Sequence, residues 1–152
     1  HVRSRRQRQM CIRDRIWTDS KNHNLIEESG TMNIWFVIDN ILVTPKLSDT
    51  ILGGITRDSI ILISKDLGLT VQERDITVDE VLEASKKGIL SEAFGTGTAV
   101  SVLPISSITF KEDKVTFSNL ETITLKLKDR LLSIQKGVAL DSFGWTDKLT
   151  IN

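Results

Sequence analysis

Two hydrophobic periods interleave along this chain: short runs with strand character and longer stretches with apolar residues at helical spacing. Ile16-Trp17-Thr18 reads as a short strand, and the polar stretch 19–24 as a turn. Asn33 to Ile38 (Asn-Ile-Trp-Phe-Val-Ile) is an apolar run rich in β-branched and aromatic residues, which suits a strand buried on both faces. Asp39-Asn40 reads as a hairpin-like turn, and Ile41-Leu42-Val43 returns as a strand that Pro45 breaks. Thr56 to Leu67 reads as a helix, with Ile60, Ile61, Ile63 and Leu67 on one side and Asp58, Lys65 and Asp66 toward water. Thr56 is its expected N-cap and Gly68 its left-handed stop. Leu69 to Ile76 reads as a strand of mixed character.

The next helix announces itself more fully. Thr77-Val78-Asp79-Glu80 is a capping box, with Ile76 and Val81 placed as a hydrophobic staple, and the helix is expected to reach Lys87 and stop at Gly88. Ser91 to Gly95 and Ala99 to Ile105 read as strands, and Ser107 to Phe110 with Lys114 to Phe117 as a hairpin turning at 111–113. A last helix is expected from Thr122 to about Leu140, burying Leu125, Leu131, Leu132, Ile134 and Val138, before Phe143-Gly144-Trp145 and a short terminal strand. Strands alternating with helices make the class α/β.

Composition bounds the function classes. A chain of 152 residues, 39% hydrophobic and 26% charged, can build one domain with a real core. No apolar run approaches the ~20 residues that span a membrane. The only cysteine, Cys11, leaves no intrachain disulfide, so the cytoplasm is the expected compartment. His1 and His23 cannot join that cysteine in a zinc site of familiar spacing, and no metal is expected. The net charge of zero conceals an asymmetry. Residues 1–15 hold six arginines and one acid, and the body carries the balancing negative charge. A basic arm invites a nucleic-acid reading, but the body has no basic, aromatic-laced surface to extend it, so no nucleic-acid partner is expected. Residues 1–15 are set apart as a leader, an artefact or a disordered arm, and 16–152 as the domain.

Three loops carry candidate chemistry: Glu27-Glu28-Ser29-Gly30-Thr31-Met32-Asn33, Gly53-Gly54-Ile55-Thr56-Arg57-Asp58 and Phe94-Gly95-Thr96-Gly97-Thr98-Ala99. In the second, glycines precede a helix whose first N–H groups lack internal partners and sit at the positive end of the dipole, a ready phosphate site. A tight turn feeding a helix with nothing bound explains the same residues. The third can present N–H groups and a Thr hydroxyl to an oxyanion, or be a flexible connection. In the first, Glu28 could pair with a cationic ring nitrogen, or be a solvated acid beside Glu27.

In combination, order and spacing these loops resemble the cofactor-cradling loops of branched-chain amino acid aminotransferases, over roughly Ile16 to Leu149. The resemblance implies the large domain of the D-amino acid aminotransferase-like, fold type IV architecture, a mixed sheet or pseudo-barrel with flanking helices. It implies pyridoxal 5'-phosphate as cofactor, with Glu28 on the pyridine nitrogen, the Ile55 and Thr56 amides on the phosphate, and the Thr98 hydroxyl also reaching it. Thr98 and Ala99 would bind the substrate carboxylate, and Thr31 and Met32 would line the same pocket. Branched-chain amino acids and 2-oxo acids are the implied substrates, and a homodimer the implied assembly. Gly53 stands where many relatives have proline, and Val100 and Leu103 where some animal members carry a redox cysteine pair. By the same resemblance, the family's Schiff-base lysine and small N-terminal domain are expected to have no counterpart among these residues. No lysine is therefore given a catalytic role, and the chain alone is expected to be inactive. D-amino acid aminotransferases and aminodeoxychorismate lyases share the fold, and a non-catalytic remnant is a third reading.

Overall fold

The computed structural model describes residues 14–117, 123–147 and 149. Its centre is β3 (Met32–Ile38), buried at every position. One edge of β3 pairs antiparallel with β6 (Leu90–Gly97) along most of its length. The other edge is shared. Its first residues pair with β2 (Ile26–Ser29), and Phe36 to Ile38 pair with β4 (Ile41–Thr44). β1 (Ile16–Thr18) adds to β2, β5 (Val71–Glu73) runs parallel to β4, and β7 (Ser101–Pro104) pairs with β6. The result is a mixed seven-stranded sheet, with a separate hairpin of β8 (Ser107–Phe110) and β9 (Asp113–Thr116).

Alternation along β3 divides the core. Trp35 and Val37 face α1 (Ile55–Asp66) and α3 (Ile123–Gln135), packing with Ile60, Ile63, Phe94, Leu127, Leu131 and Ile134. Ile34, Phe36 and Ile38 face α2 (Val78–Lys86) and the hairpin, packing with Ile76, Val81, Val115 and Phe117. Trp35 stacks on its cross-strand partner Phe94 with ring centroids 5.6 Å apart, and its indole N–H donates to Thr96 Oγ1 at 3.0 Å. A buried tryptophan thus has both its area and its polar atom satisfied.

Local sequence explains most joints. Asp39 and Asn40 both take positive φ, 50° and 61°, as a two-residue hairpin turn matched to strand twist requires. The Thr77 hydroxyl accepts the Glu80 N–H at 3.1 Å, and Ile76 and Val81 are both buried, so the cap and staple are present. The capping box is one-sided, because the Glu80 carboxylate accepts from the Arg74 guanidinium instead.

Several boundaries differ from the sequence reading. α1 begins at Ile55 with Gly54 as its N-cap and no side-chain cap, so Thr56 lies inside the helix. Leu67 is the C-cap and 44% exposed, because it follows the last turn and leaves the apolar stripe. β5 is only three residues, since Arg74 and Asp75 lead directly into the cap of α2. β6 extends through Gly97, which leaves Thr98 to Val100 as the turn. The β8–β9 turn is Lys111-Glu112. α3 ends at Gln135 ahead of Gly137, whose φ is +67°, so Val138 is exposed. Leu125 is exposed too, because Thr124, Leu127, Leu131 and Ile134 form the buried stripe. The expected helix start at Thr122, the terminal strand and Cys11 lie outside the described residues.

Two outcomes follow. Thr77→Ala should cost about 1 kcal/mol of stability, read by urea unfolding. Asp19 accepts the N–H groups of Asn22, Asn24 and Leu25, and these bonds, Asn22's foremost, hold its carboxyl down to about 2. A depressed carboxyl contributes stability that is present above its unfolded-state value of 3.8 and is lost as the pH falls through about 2. Urea midpoints compared at roughly pH 5 and pH 2 should therefore fall less for Asp19→Asn than for the wild type.

Candidate functional site

A row of paired residues crosses the sheet at the foot of β3. Trp17 pairs with Glu28, Glu28 with Asn33, Asn33 with Thr96, and Thr96 with Val102. Directly opposed residues share a face, so Glu28, Asn33 and Thr96 stand together on the side covered by α1 and α3. On the shared edge Ile34 and Trp35 stand between the residues paired with β2 and those paired with β4, and the segment entering α1 meets the strand at Asn33.

Glu28 is half-buried, and its Oε1 accepts the backbone N–H of Leu52 at 2.9 Å. The Asn33 amide is buried. Its Nδ2 donates to the Leu52 carbonyl at 2.7 Å and to Glu28 Oε1 at 3.4 Å. Glu28 Oε2 accepts no hydrogen bond among the described residues. Glu27 is tied to the same segment, since its carboxylate accepts the Thr50 hydroxyl at 2.8 Å. The two acids are therefore not equivalent: Glu27 fastens an exposed loop, and Glu28 keeps one oxygen available over the sheet.

The glycine of this corner is required by contact. A Cβ on Gly54 would lie 2.3 Å from Asn33 Oδ1. Gly54 itself has φ −71° and ψ 134°, which any residue adopts, so close approach demands it rather than backbone freedom. Beyond it, the first turn of α1 carries the amides of Ile55 and Thr56 with no side-chain cap over them. Ile55 is 83% exposed, so the end of the helix is open to an incoming anion.

The sequence reading gave Arg57 no role. Its guanidinium is fully buried and donates from Nη2 to the Pro45 carbonyl at 3.0 Å and to Glu73 at 2.8 Å. Its Nε has no hydrogen-bond partner among the described residues. A cation in the first turn runs against the helix dipole, and Glu73 and Pro45 are what hold it there. No periodicity signals this, because a charge on the buried stripe of a helix reads as an interruption.

The third loop is partly strand: β6 continues past Gly95 through Gly97, and only Thr98 and Ala99 lie in the turn. Gly95 and Gly97 lie against Met32: a Cβ on Gly95 would stand 3.0 Å from its Sδ, and one on Gly97 3.3 Å from its Cγ. Met32 points to the face opposite Glu28, so only its backbone is available to the pocket that its side chain was expected to line. Thr31, in the β2–β3 turn, and Thr98 and Ala99, in the β6–β7 turn, are exposed at the same end of the sheet. Thr98 and Ala99 share no hydrogen bond with Ile55 or Thr56 among the described residues.

A cleft of about 950 Å³ opens on the other face, between the sheet and the β8–β9 hairpin, lined by Met32, Phe36, Val81, Leu103 and Phe110 among others. It contains none of Glu28, Ile55, Thr56 or Thr98. Its size does not make it the site, because the anchored carboxylate and the open helix end lie across the sheet from it. Among the described residues no cluster of three or more His, Cys, Asp or Glu could hold a metal, and no helix is long and apolar enough to cross a membrane.

The geometry can be set beside known proteins. Branched-chain-amino-acid aminotransferase 2 of Bacillus subtilis is 46% identical over 136 residues, which cover 88% of this chain and 38% of that protein. The Escherichia coli branched-chain amino acid aminotransferase structure superposes with a TM-score of 0.74 at 27% identity, over 89% of this chain and 41% of that one. The T.th. branched-chain amino acid aminotransferase complexed with N-(5'-phosphopyridoxyl)-L-glutamate gives a TM-score of 0.72 at 30% identity, over 87% of this chain and 41% of that one. The chain thus spans well under half the length of the relatives it matches. The profile of the family described as Amino-transferase class IV matches residues 2–108, most of the chain, and this chain belongs to that family.

Proposed function

We propose that this chain is the cofactor-binding part of a branched-chain amino acid aminotransferase. The whole enzyme exchanges an amino group between leucine, isoleucine or valine and 2-oxoglutarate through pyridoxal 5'-phosphate, as a homodimer in the cytoplasm. The observation that carries this reading is the corner where Glu28, anchored through one oxygen, meets the uncapped start of α1.

The residues fit that cofactor. A carboxylate with a free oxygen suits a protonated pyridine nitrogen, and the open amides of Ile55 and Thr56 suit a phosphate. The missing Cβ of Gly54 is what lets the segment leading to those amides lie on Asn33. The buried Arg57 ties the same helix end to β5 through its ion pair with Glu73. When bound, pyridoxal phosphate supplies an electron sink that stabilises negative charge at the substrate α-carbon.

The chain's own residues hold and orient. Glu28 keeps a proton on the ring nitrogen, because an anion at hydrogen-bond distance favours the cationic form. Ile55 and Thr56 fix the phosphate end through their N–H groups. Thr98 and Ala99, on an exposed turn, would offer N–H groups to the substrate carboxylate, and the Thr98 hydroxyl would also serve the phosphate. Thr31 and the Met32 backbone form the neighbouring wall. Support for these last roles comes from the shared end of the sheet at which both turns stand.

In the full-length protein, Glu28→Gln should lower kcat with leucine by on the order of 10²-fold, as loss of a preorganised electrostatic partner does. Binding of pyridoxamine 5'-phosphate should weaken far less. Unchanged turnover would remove Glu28 from the ring nitrogen. A steady-state profile over L-leucine, D-alanine and aminodeoxychorismate tests the reaction itself, and activity confined to either of the last two would overturn the branched-chain assignment.

A further inference from the structure

We infer that Asn33 is a positioning residue that sets the orientation of the Glu28 carboxylate and couples it to the phosphate-binding end of α1. The inference rests on the cofactor site proposed above and adds a residue to it.

Asn33 stands between the two halves of that site. Its pairing places it directly beside Glu28 on β2 and Thr96 on β6, at the point where the edge of β3 passes from β2 to β4. Its Nδ2 has two hydrogens and two acceptors: the Leu52 carbonyl at 2.7 Å and Glu28 Oε1 at 3.4 Å. The same Glu28 oxygen accepts the Leu52 N–H at 2.9 Å, so acid, amide and loop peptide form a closed triangle. Its Oδ1 occupies the space that a side chain on Gly54 would need.

Each contact has a consequence for the acid. A carboxylate rotates freely unless one oxygen is fixed, and two donors converging on Oε1 fix it and leave Oε2 without a donor among the described residues. The Leu52 peptide provides one of those donors, and Asn33 holds that peptide by its carbonyl. Displacing the segment 52–54 therefore moves both the acid and the helix amides that follow. A sheet residue chosen only for packing would be apolar here, as its neighbours on β3 are. Burial of a primary amide costs free energy unless its hydrogen bonds are made, and these bonds are made to the two parts of the site.

The test is a double-mutant cycle in the full-length enzyme, read by binding of pyridoxamine 5'-phosphate labelled with nitrogen-15 in the ring. This probe needs no covalent bond to a lysine. Asn33→Ala should raise its Kd by about tenfold and move the ring nitrogen resonance toward the unprotonated position. In the Glu28→Gln background the same substitution should change Kd by clearly less than about tenfold, because the carboxylate that Asn33 orients is gone and only its hold on the Leu52 peptide is still lost. Equal factors in both backgrounds, with an unmoved resonance, would mean that Asn33 serves packing alone and would overturn the inference. Should Asn33→Ala fail to fold, Gly54→Ala presses on the intact Asn33 amide and should shift the resonance in the same direction; no shift there also overturns it. Failure of the wild type to bind the probe is a separate result, which overturns the cofactor site and this inference with it.

Discussion

One strand with too many neighbours organises this molecule. β3 has two hydrogen-bonding edges, and β6 takes most of one, so β2 and β4 must divide the other. Two strands leaving the same edge diverge, and the wedge between them exposes backbone that the strands themselves cannot cover. Thr44 reaches across to donate its hydroxyl to the Ile34 carbonyl at 2.9 Å, and Asn33 fills the rest with a side chain that makes its own bonds. The segment entering α1 docks there, with the Leu52 carbonyl on the Asn33 amide and Gly54 against its oxygen. The helix end, the acid on β2 and the amide on β3 meet because the sheet splits there.

The two faces of the sheet divide the work. On the α2 side, large aliphatic residues close over β3 and Met32 settles on Gly95 and Gly97. On the α1 and α3 side, the apolar cluster around Trp35 stops short of the foot of the strand, and polar residues take over at Asn33 and Thr96. Thr96 shows the transition within one residue, since its hydroxyl accepts from the buried Trp35 indole while its backbone continues into the polar row. A similar division holds at α3, where Glu92 from β6 accepts the Ile123 and Thr124 N–H groups at 2.8 Å each and so caps a helix distant in sequence.

Much of this was legible in the sequence because the signals are local. The run from Asn33 to Ile38, the Asp39-Asn40 turn and the Thr77 cap each depend on neighbouring residues, and each stands as read. Glu28 was legible as a candidate through the motif around it, and the geometry gives it an anchor that the motif does not contain. What stayed hidden depends on distance along the chain. Asn33 meets Leu52, Arg57 meets Glu73, and Glu92 meets Thr124 across separations no period describes. Thr56 was misplaced as a cap because Gly54 ends the extended segment two residues earlier, and an empty cap is silent in a scan for capping side chains. The glycines of the third loop suggested flexibility, yet they sit in a strand and make room for a methionine.

The contact between Asn33 and Gly54 also bears on how such a chain can vary. A side chain of any size at position 54 would collide with an amide that is itself tied down on two sides, so neither position can drift alone. A lineage or a library that enlarges residue 54 first passes through a clashing intermediate. One that shrinks residue 33 first passes through an intermediate whose Leu52 carbonyl has lost its donor. Each single step costs stability, and the paired exchange removes the clash without restoring that donor. The two positions are therefore coupled physically, although 21 residues separate them in the chain.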